Sequence, residues 1–225
     1  ATTIITEHVA YARSLGLKVR YTPEDATRTD FEFLVCVCNA AINAGADRIS
    51  FADTLGIMQP HIFYERVQAL RGRLLPCKID VHCHDDYGLS LANAMAGIRA
   101  GANCIHTTVN GLGERTGIPD LAETVVAFHN LEGVEKYDIQ PLMELSAYLE
   151  SVSGFFMAPN KPITGQHAFS HKSGVHSNGI LKDPRTYEPF DPSLLGRERK
   201  IIIDKYTGKS AVQSRLDEYG IEVSN

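Results

Sequence analysis

The sequence contains no apolar run long enough to cross a membrane, and residues 1–20 lack the features of a signal peptide. It also has no long basic run, and its 225 residues carry a net charge of −5. A broad nucleic-acid-binding surface requires a basic patch. We therefore expect a soluble cytoplasmic protein that binds neither membranes nor nucleic acids.

Cysteine is scarce: five residues, an odd number, lie in apolar stretches that resemble helices or strands. Such a set favours reduced thiols over a disulfide framework, as in a cytosolic protein. An initiator methionine is also absent, because the chain begins with Ala1. This start suggests that an N-terminal part is missing.

What the sequence does contain is a strand followed by a helix, four times. Strands are predicted at 17–21, 48–54, 78–84 and 103–109, and helices follow at 31–44, 60–74, 89–100 and 119–129. Alternation with this period is typical of βαβ units, which form a parallel sheet.

Polar residues stand near the carboxyl end of each predicted strand. Glu24, Thr54, His84 and Asn110 are 26 to 30 residues apart. In an eight-stranded (β/α) barrel these ends converge on one face, where the chemistry takes place. The alternative is a doubly wound open sheet, which usually carries a phosphate-binding glycine motif after a strand. Gly111-Leu112-Gly113 is too short a match to support that alternative.

Four units make only half of a barrel, and a parallel half-barrel leaves two open edges. We therefore expect an α/β fold: the C-terminal half of a TIM barrel over residues 1–134, followed by a small, mostly helical and irregular subdomain over 135–225. The other half-barrel would come from a preceding segment of the same chain or from another chain.

The third predicted strand carries His82 and His84. Residues i and i+2 of a strand point to the same face, roughly 6.5–7 Å apart. With Asp80 beneath them, the two imidazoles can hold one divalent cation together with a carboxylate from elsewhere. The alternative is a pair of polar residues on a half-exposed strand.

Past residue 135 the alternation ends. Helices are predicted at 141–152 and 210–219, whereas residues 154–200 show little periodicity. This segment is rich in functional residue types, including His167, His171, His176 and Tyr187. Its apolar content argues against disorder, so we interpret it as a functional loop segment.

Seven motifs occur in the order found in one enzyme family. They are Tyr21-Thr22-Pro23-Glu24-Asp25-Ala26, Ala52-Asp53-Thr54-Leu55-Gly56, His82-Cys83-His84-Asp85-Asp86, Asn110-Gly111-Leu112-Gly113-Glu114-Arg115, Phe169-Ser170-His171-Lys172-Ser173-Gly174-Val175-His176, Asp183-Pro184-Arg185-Thr186-Tyr187-Glu188 and Gly196-Arg197-Glu198-Arg199. In these motifs the chain resembles the homocitrate synthase and isopropylmalate synthase family over nearly its whole length, with the homocitrate synthase branch the nearer one.

The resemblance implies an acyltransferase that condenses acetyl-CoA with a 2-oxo acid, as in lysine biosynthesis. His82 and His84 match the family's metal ligands for Mg²⁺, Mn²⁺ or Zn²⁺. Asn110 either reaches this metal or its water, or serves as a turn residue. The family's aspartate ligand, in an Arg-Asp motif on the first strand, has no match before residue 17. Asp85 stands where the family usually has asparagine.

The resemblance also assigns roles to four further residues. Glu24 takes part in proton transfer, although a helix N-terminal acid is the structural alternative. Thr54 binds the carboxylate of the 2-oxo acid. His176 and Tyr187 are catalytic and reach over the barrel mouth, often that of the partner in a homodimer.

Other functions stay open. Isopropylmalate synthase and a related citrate synthase are close rivals. In a different class, the chain is a catalytically incomplete half-barrel that needs a separately encoded N-terminal partner. A lyase of the hydroxymethylglutaryl-CoA type is a further option, against which the segment with His176 and Tyr187 argues.

Overall fold

A computed structural model describes residues 1–203 and 207–221. The chain divides into two compact units, Ala1–Thr124 and Val125–Asn225. The subdomain expected at 135–225 includes residues 204–206 and 222–225, which lie outside the described residues. Within the described parts of the chain, no helix is both long enough and apolar enough to span a membrane.

The first unit is built from alternating helices and strands around one parallel sheet. In chain order its elements are α1 (Thr2–Ser14), β1 (Arg20–Tyr21), α2 (Phe31–Asn43), β2 (Arg48–Asp53), α3 (Pro60–Arg73), β3 (Lys78–Cys83), α4 (Ser90–Arg99), β4 (Cys104–Ile105), a 3-10 helix (Val109–Gly111) and the start of α5 (Leu121–Glu132). The strands lie in the order β1-β2-β3-β4 and all pair in parallel. The predicted parallel α/β sheet is confirmed.

The two outer strands are shorter than predicted, with two residues each. Before β1, the amide of Val19 donates to the side chain of Asp47 at 2.8 Å instead of to a strand backbone. After β4, the amide of His106 still donates to the carbonyl of Val81 at 3.0 Å. His106 therefore continues the line of β4 towards the mouth of the sheet.

One face of the sheet packs against the helices. Ile49 and Phe51 of β2 are fully buried, and the rings of Phe51 and Phe63 lie 5.3 Å apart between centroids. α4 approaches this layer at Gly97, where a Cβ atom would lie 2.8 Å from Cγ1 of Val81. These apolar residues alternate along their strands with residues that face the opposite side.

The opposite face is polar. Arg20 and Arg48 alternate with apolar neighbours, and Asp80 and His82 do the same in β3. In a closed barrel this face is the interior, whose upper end carries the chemistry. The alternation thus separates a helix-facing apolar layer from a polar layer that leads to the strand ends.

The second unit contains short elements joined by turns. They are α6 (Leu142–Ser153), β5 (Ser170–His171), α7 (Gly174–Lys182), 3-10 helices at Pro184–Thr186 and Pro192–Leu195, β6 (Lys200–Ile201) and α8 (Lys209–Glu218). β5 and β6 pair in parallel. The interpretation of residues 154–200 as irregular is wrong for 174–182, which form a helix. Two glycines and a valine within this short stretch hide its periodicity, and tertiary packing overrides these weak propensities.

Candidate active site

His82 and His84 stand at the carboxyl end of β3, as the sequence predicts. Their ring centroids are 5.1 Å apart and the rings meet edge to face. His84 is buried, and its Nδ1 has no hydrogen-bond partner among the described residues. A buried imidazole nitrogen without a partner is costly unless something binds it.

The protonation state of His82 suits a metal site. Burial lowers the pKa of His82 to about 4, helped by the neighbouring His106, His84 and Arg20. The ring is therefore neutral near pH 7, the state in which imidazole donates a lone pair to a metal. The orphaned nitrogen of His84 and the neutral ring of His82 together fit a divalent cation. The described residues that would hold it are these two histidines, with Asn110 as the third expected ligand.

Sequence reasoning missed His106, which contacts His82. Its Nδ1 lies 3.2 Å from Nδ1 of His82, and its Nε2 lies 2.7 Å from Nη1 of Arg20. The pKa of His106 is lowered, mainly by burial and then by Arg20. Polar residues in alternating positions of neighbouring strands were the available signal. It was overlooked because β4 is short and its pattern covers few residues.

His106 also belongs to a second group of metal-donor types. One ligand atom each of Asp80, Cys104 and His106 lies within 4.8 Å of the others. However, the Asp80 carboxylate already accepts hydrogen bonds from Arg48, with Nε 2.9 Å from both of its oxygens. Because Arg20 and Arg48 engage this group, its geometry suits a hydrogen-bonded layer below the histidine pair better than a second cation site.

Thr54 and Glu24 lie on the loops that follow β2 and β1. The Oγ1 atom of Thr54 accepts a hydrogen bond from the amide of Asp25 at 2.9 Å, which brings the two loops together. The hydroxyl keeps its own proton for a second partner. Glu24 is exposed, one residue before Asp25, which has a positive φ of 54°. The structure therefore places Glu24 and Thr54 at neighbouring strand ends.

Asn110 is buried in the 3-10 helix that follows β4, with φ of 59°. Its loop packs closely on Gly117, where a Cβ atom would overlap the carbonyl oxygen of Gly111. The carbonyl of Gly117 accepts a hydrogen bond of 3.1 Å from the amide of Asp85. These contacts hold the loop of Asn110 beside the residue that follows His84.

Asp85, which departs from the family pattern, has a local structural contact. Its Oδ1 accepts a hydrogen bond of 2.9 Å from the amide of Ser90 at the start of α4. The side-chain oxygen of an asparagine can accept the same bond. The departure therefore leaves this contact intact.

His176 and Tyr187 belong to the second unit, where they contact each other. Their rings are stacked, with centroids 4.1 Å apart and planes inclined by 23°. His176 lies in α7 and Tyr187 follows the 3-10 helix Pro184–Thr186. Gly179, one turn after His176, permits this approach, since a Cβ atom there would lie 2.6 Å from the Tyr187 ring.

A buried carboxylate next to Tyr187 fixes this arrangement. Glu188 accepts hydrogen bonds from Nε2 of His171 at 3.2 Å and from both Nε and Nη2 of Arg199, the latter at 3.0 Å. His171 is the last residue of β5 and Arg199 immediately precedes β6, so Glu188 ties Tyr187 to these two short strands. Through this contact His171 helps to hold the segment that carries Tyr187.

Comparison with known protein families matches almost the entire chain. The HMGL-like family model matches residues 1–149, which contain the strand-end histidines. The chain belongs to the HMGL-like family. A second model, the homocitrate synthase post-HMGL domain-like family, matches residues 163–225. The predicted resemblance is confirmed.

Curated relatives point to one branch of the family. The homocitrate synthase of Saccharolobus solfataricus is 48% identical over 221 residues, which are 98% of this chain and 48% of the relative. That of Sulfurisphaera tokodaii is 47% identical over 225 residues, 100% of this chain and 49% of the relative. The chain thus spans about half the length of the curated relatives it matches.

Solved structures support the fold. The hydroxymethylglutaryl-CoA lyase of Bacillus subtilis matches with a TM-score of 0.62 at 20% identity, over 68% of this chain and 55% of that one. The lyase of Pseudomonas aeruginosa matches with a TM-score of 0.60 at 21% identity, over 69% and 56%. At these identities the likeness establishes the fold: this is the TIM-barrel architecture of the family.

Proposed function

We propose that the full-length protein condenses acetyl-CoA with a 2-oxo acid, and that this acid is 2-oxoglutarate, which gives homocitrate. The observation that carries the proposal is the pair His82 and His84 at a strand end, with the buried Nδ1 of His84 unpartnered among the described residues. The identity of 48% to a homocitrate synthase supports the choice of reaction.

His82 and His84, with Asn110, would hold a divalent cation, either Mg²⁺, Mn²⁺ or Zn²⁺. When bound, such a cation polarises the keto group of the 2-oxo acid as a Lewis acid. The hydroxyl of Thr54 donates a hydrogen bond to the carboxylate of the 2-oxo acid, since its oxygen already accepts a hydrogen bond from the amide of Asp25. The strand ends thus orient the electrophile.

Proton transfer falls to Glu24 and His176. One of them takes a proton from the acetyl methyl group, whose carbon then forms a bond to the keto carbon. The resulting alkoxide takes up a proton, and water hydrolyses the thioester to release free CoA. Tyr187, stacked on His176, donates a hydrogen bond to negative charge as it develops.

We further propose that the protein works as a homodimer in the cytoplasm, in lysine biosynthesis. The rival acyltransferases, isopropylmalate synthase and the related citrate synthase, differ in the 2-oxo acid they accept. The chain as a catalytically incomplete half that needs a separate N-terminal partner is the alternative of another class.

The proposal is tested by thiol release from acetyl-CoA with the full-length protein. Release with 2-oxoglutarate is expected to exceed release with 2-oxoisovalerate or oxaloacetate and to stop when a chelator removes divalent cations. Preferred turnover of 2-oxoisovalerate would show that the protein is an isopropylmalate synthase and not a homocitrate synthase. No thiol release with any 2-oxo acid, in a folded protein supplied with Mg²⁺, Mn²⁺ or Zn²⁺, would refute the acyltransferase.

A further inference from the structure

Three side chains form a continuous line beneath the strand ends: Arg20, His106 and His82. Nη1 of Arg20 lies 2.7 Å from Nε2 of His106, and Nδ1 of His106 lies 3.2 Å from Nδ1 of His82. Nε2 of His106 also lies 3.5 Å from Oδ2 of Asp80. Both imidazoles are half-buried. The hydrogen bonds along this line decide which ring nitrogens of His106 and His82 carry a proton, and cation binding depends on that choice.

The hydrogen-bond directions along this line have one consistent assignment. A guanidinium has only donors, so Nε2 of His106 accepts and the proton of this ring sits on Nδ1. Nδ1 of His106 therefore donates to Nδ1 of His82, which accepts. The proton of His82 must then be on Nε2. In this assignment neither nitrogen of His82 has a free lone pair.

We propose that His106 is a positioning residue which, under the control of Arg20, decides whether His82 can bind a cation. This inference rests on the proposed role of His82 as a metal ligand. Since Nδ1 of His82 faces His106, the cation must bind at Nε2. Binding there requires the opposite tautomer of His82, with its proton on Nδ1.

The exchange of tautomers leaves the number of protons on the two rings unchanged. The proton on Nε2 of His82 leaves, the proton between the two Nδ1 atoms passes from His106 to His82, and Nε2 of His106 gains a proton. Both rings stay neutral throughout, so no group changes its charge. The new N–H of His106 cannot face the donors of Arg20, but it can donate to Oδ2 of Asp80, which lies on the same side.

The exchange breaks the hydrogen bond that Arg20 donates to Nε2 of His106. Arg20 is exposed, and its guanidinium must then find another anionic or neutral acceptor at the strand ends. Because a coupling between two sites is reciprocal, whatever draws Arg20 away from His106 also tightens the cation. The line thus links cation occupancy of His82 to the partner of Arg20.

The direct test is the ¹⁵N NMR spectrum of the histidine side chains in the full-length protein, which distinguishes the two neutral tautomers. Without cations, we expect the proton on Nδ1 of His106 and on Nε2 of His82. With Zn²⁺ added, we expect both tautomers to reverse. Bound Zn²⁺ with both tautomers unchanged would overturn the relay alone. If Zn²⁺ left His82 and His84 undisturbed, the proposed metal site would fail as well.

A pair of variants tests whether Arg20 itself controls the tautomers, or whether the loss of any positive charge has the same effect. Arg20→Met removes the donor, so His106 should donate to Asp80 and His82 should carry its proton on Nδ1 even without a cation. Zn²⁺ affinity should rise about tenfold, within the range typical of residues that orient metal ligands. The control is Arg13→Met, which removes a guanidinium paired with Asp47 in the same unit and should change neither property. An Arg20→Met protein that kept the proton on Nε2 of His82 would contradict the proposal.

Discussion

At the scale of single residues, His82 links the fold to the proposed chemistry through its protonation. Burial holds its pKa at about 4, against an ordinary value of 6.5. Between these two pH values the unfolded chain takes up a proton that the folded chain does not. The neutral ring that suits a metal therefore makes the folded state less stable as the pH falls.

This linkage predicts a pH-dependent stability. For the cation-free full-length protein, the free energy of unfolding should fall as the pH drops from 7 to 5, and His82→Gln should fall less. Urea unfolding at both pH values measures the difference. Exposed His61, in α3, supplies the control: His61→Gln should leave the drop as in the unaltered protein. An equal drop in His82→Gln would show that His82 is not neutral in the fold.

His176 offers a second residue-scale prediction. A group that acts mainly in the transition state lowers kcat when removed and leaves substrate binding nearly intact. His176→Ala in the full-length protein should therefore lose about 10²-fold or more in kcat, the typical effect of a general acid–base group, with little change in the KM for the 2-oxo acid. Steady-state kinetics tests this. An unchanged kcat would remove His176 from the mechanism.

At the scale of elements, the close approach of α4 to the sheet leaves no room for a side chain at Gly97, so adding one should lower the stability of the fold. Gly97 faces the stiff, fully buried side chain of Val81, and a Cβ atom would lie 2.8 Å from it. Gly97→Ala should destabilise the fold by about 1–3 kcal/mol, because overpacking outweighs the gain in helix propensity.

The matched control for this prediction is Gly72 in α3, where nothing lies within 4 Å of the new Cβ atom. Gly72→Ala should be neutral or gain up to about 1 kcal/mol from helix propensity alone. Denaturant unfolding of both variants separates packing from propensity. Equal effects in the two variants would mean that α4 does not approach β3 as described.

The elements also show what the sequence can predict. The long, periodic helices and the buried strands β2 and β3 are recognisable because many residues repeat the same pattern. The outer strands β1 and β4 are also predicted, although longer than they are, whereas the short helix α7 carries too few residues to repeat the pattern. His82 and His84 were found because i and i+2 of a strand share a face. His106 is harder to predict because β4 is short and the alternation around it covers few residues, and its contacts with Arg20 and His82 add no further signal to the sequence since they are made across strands.

At the scale of the whole molecule, the second unit exposes large apolar side chains. Tyr148 and Val152 of α6 are 63% and 59% exposed, and Phe155 and Phe156, which follow it, are 65% and 78% exposed. Exposed apolar groups of this size mark interaction sites. They support the proposed homodimer.

We expect the full-length protein to be a dimer. Phe155→Ser combined with Phe156→Ser should raise its dissociation constant by about a hundredfold or more, since each change removes an apolar contact worth about 1.5–3 kcal/mol when fully buried. Light scattering over a dilution series measures this. Tyr11→Ser on α1 of the first unit, 66% exposed, is the control. A monomeric unaltered protein, or a double variant that dimerises equally well, would contradict the prediction.

We propose that the histidine pair at the end of β3 holds the cation on which condensation depends. The most direct measurement combines Mn²⁺ binding by calorimetry with thiol release from acetyl-CoA and 2-oxoglutarate, in the full-length protein and in the variant with His82→Ala and His84→Ala. We expect the variant to stay folded by circular dichroism but to lose both the Mn²⁺ site and turnover. A folded variant that binds Mn²⁺ and turns over like the unaltered protein would contradict it.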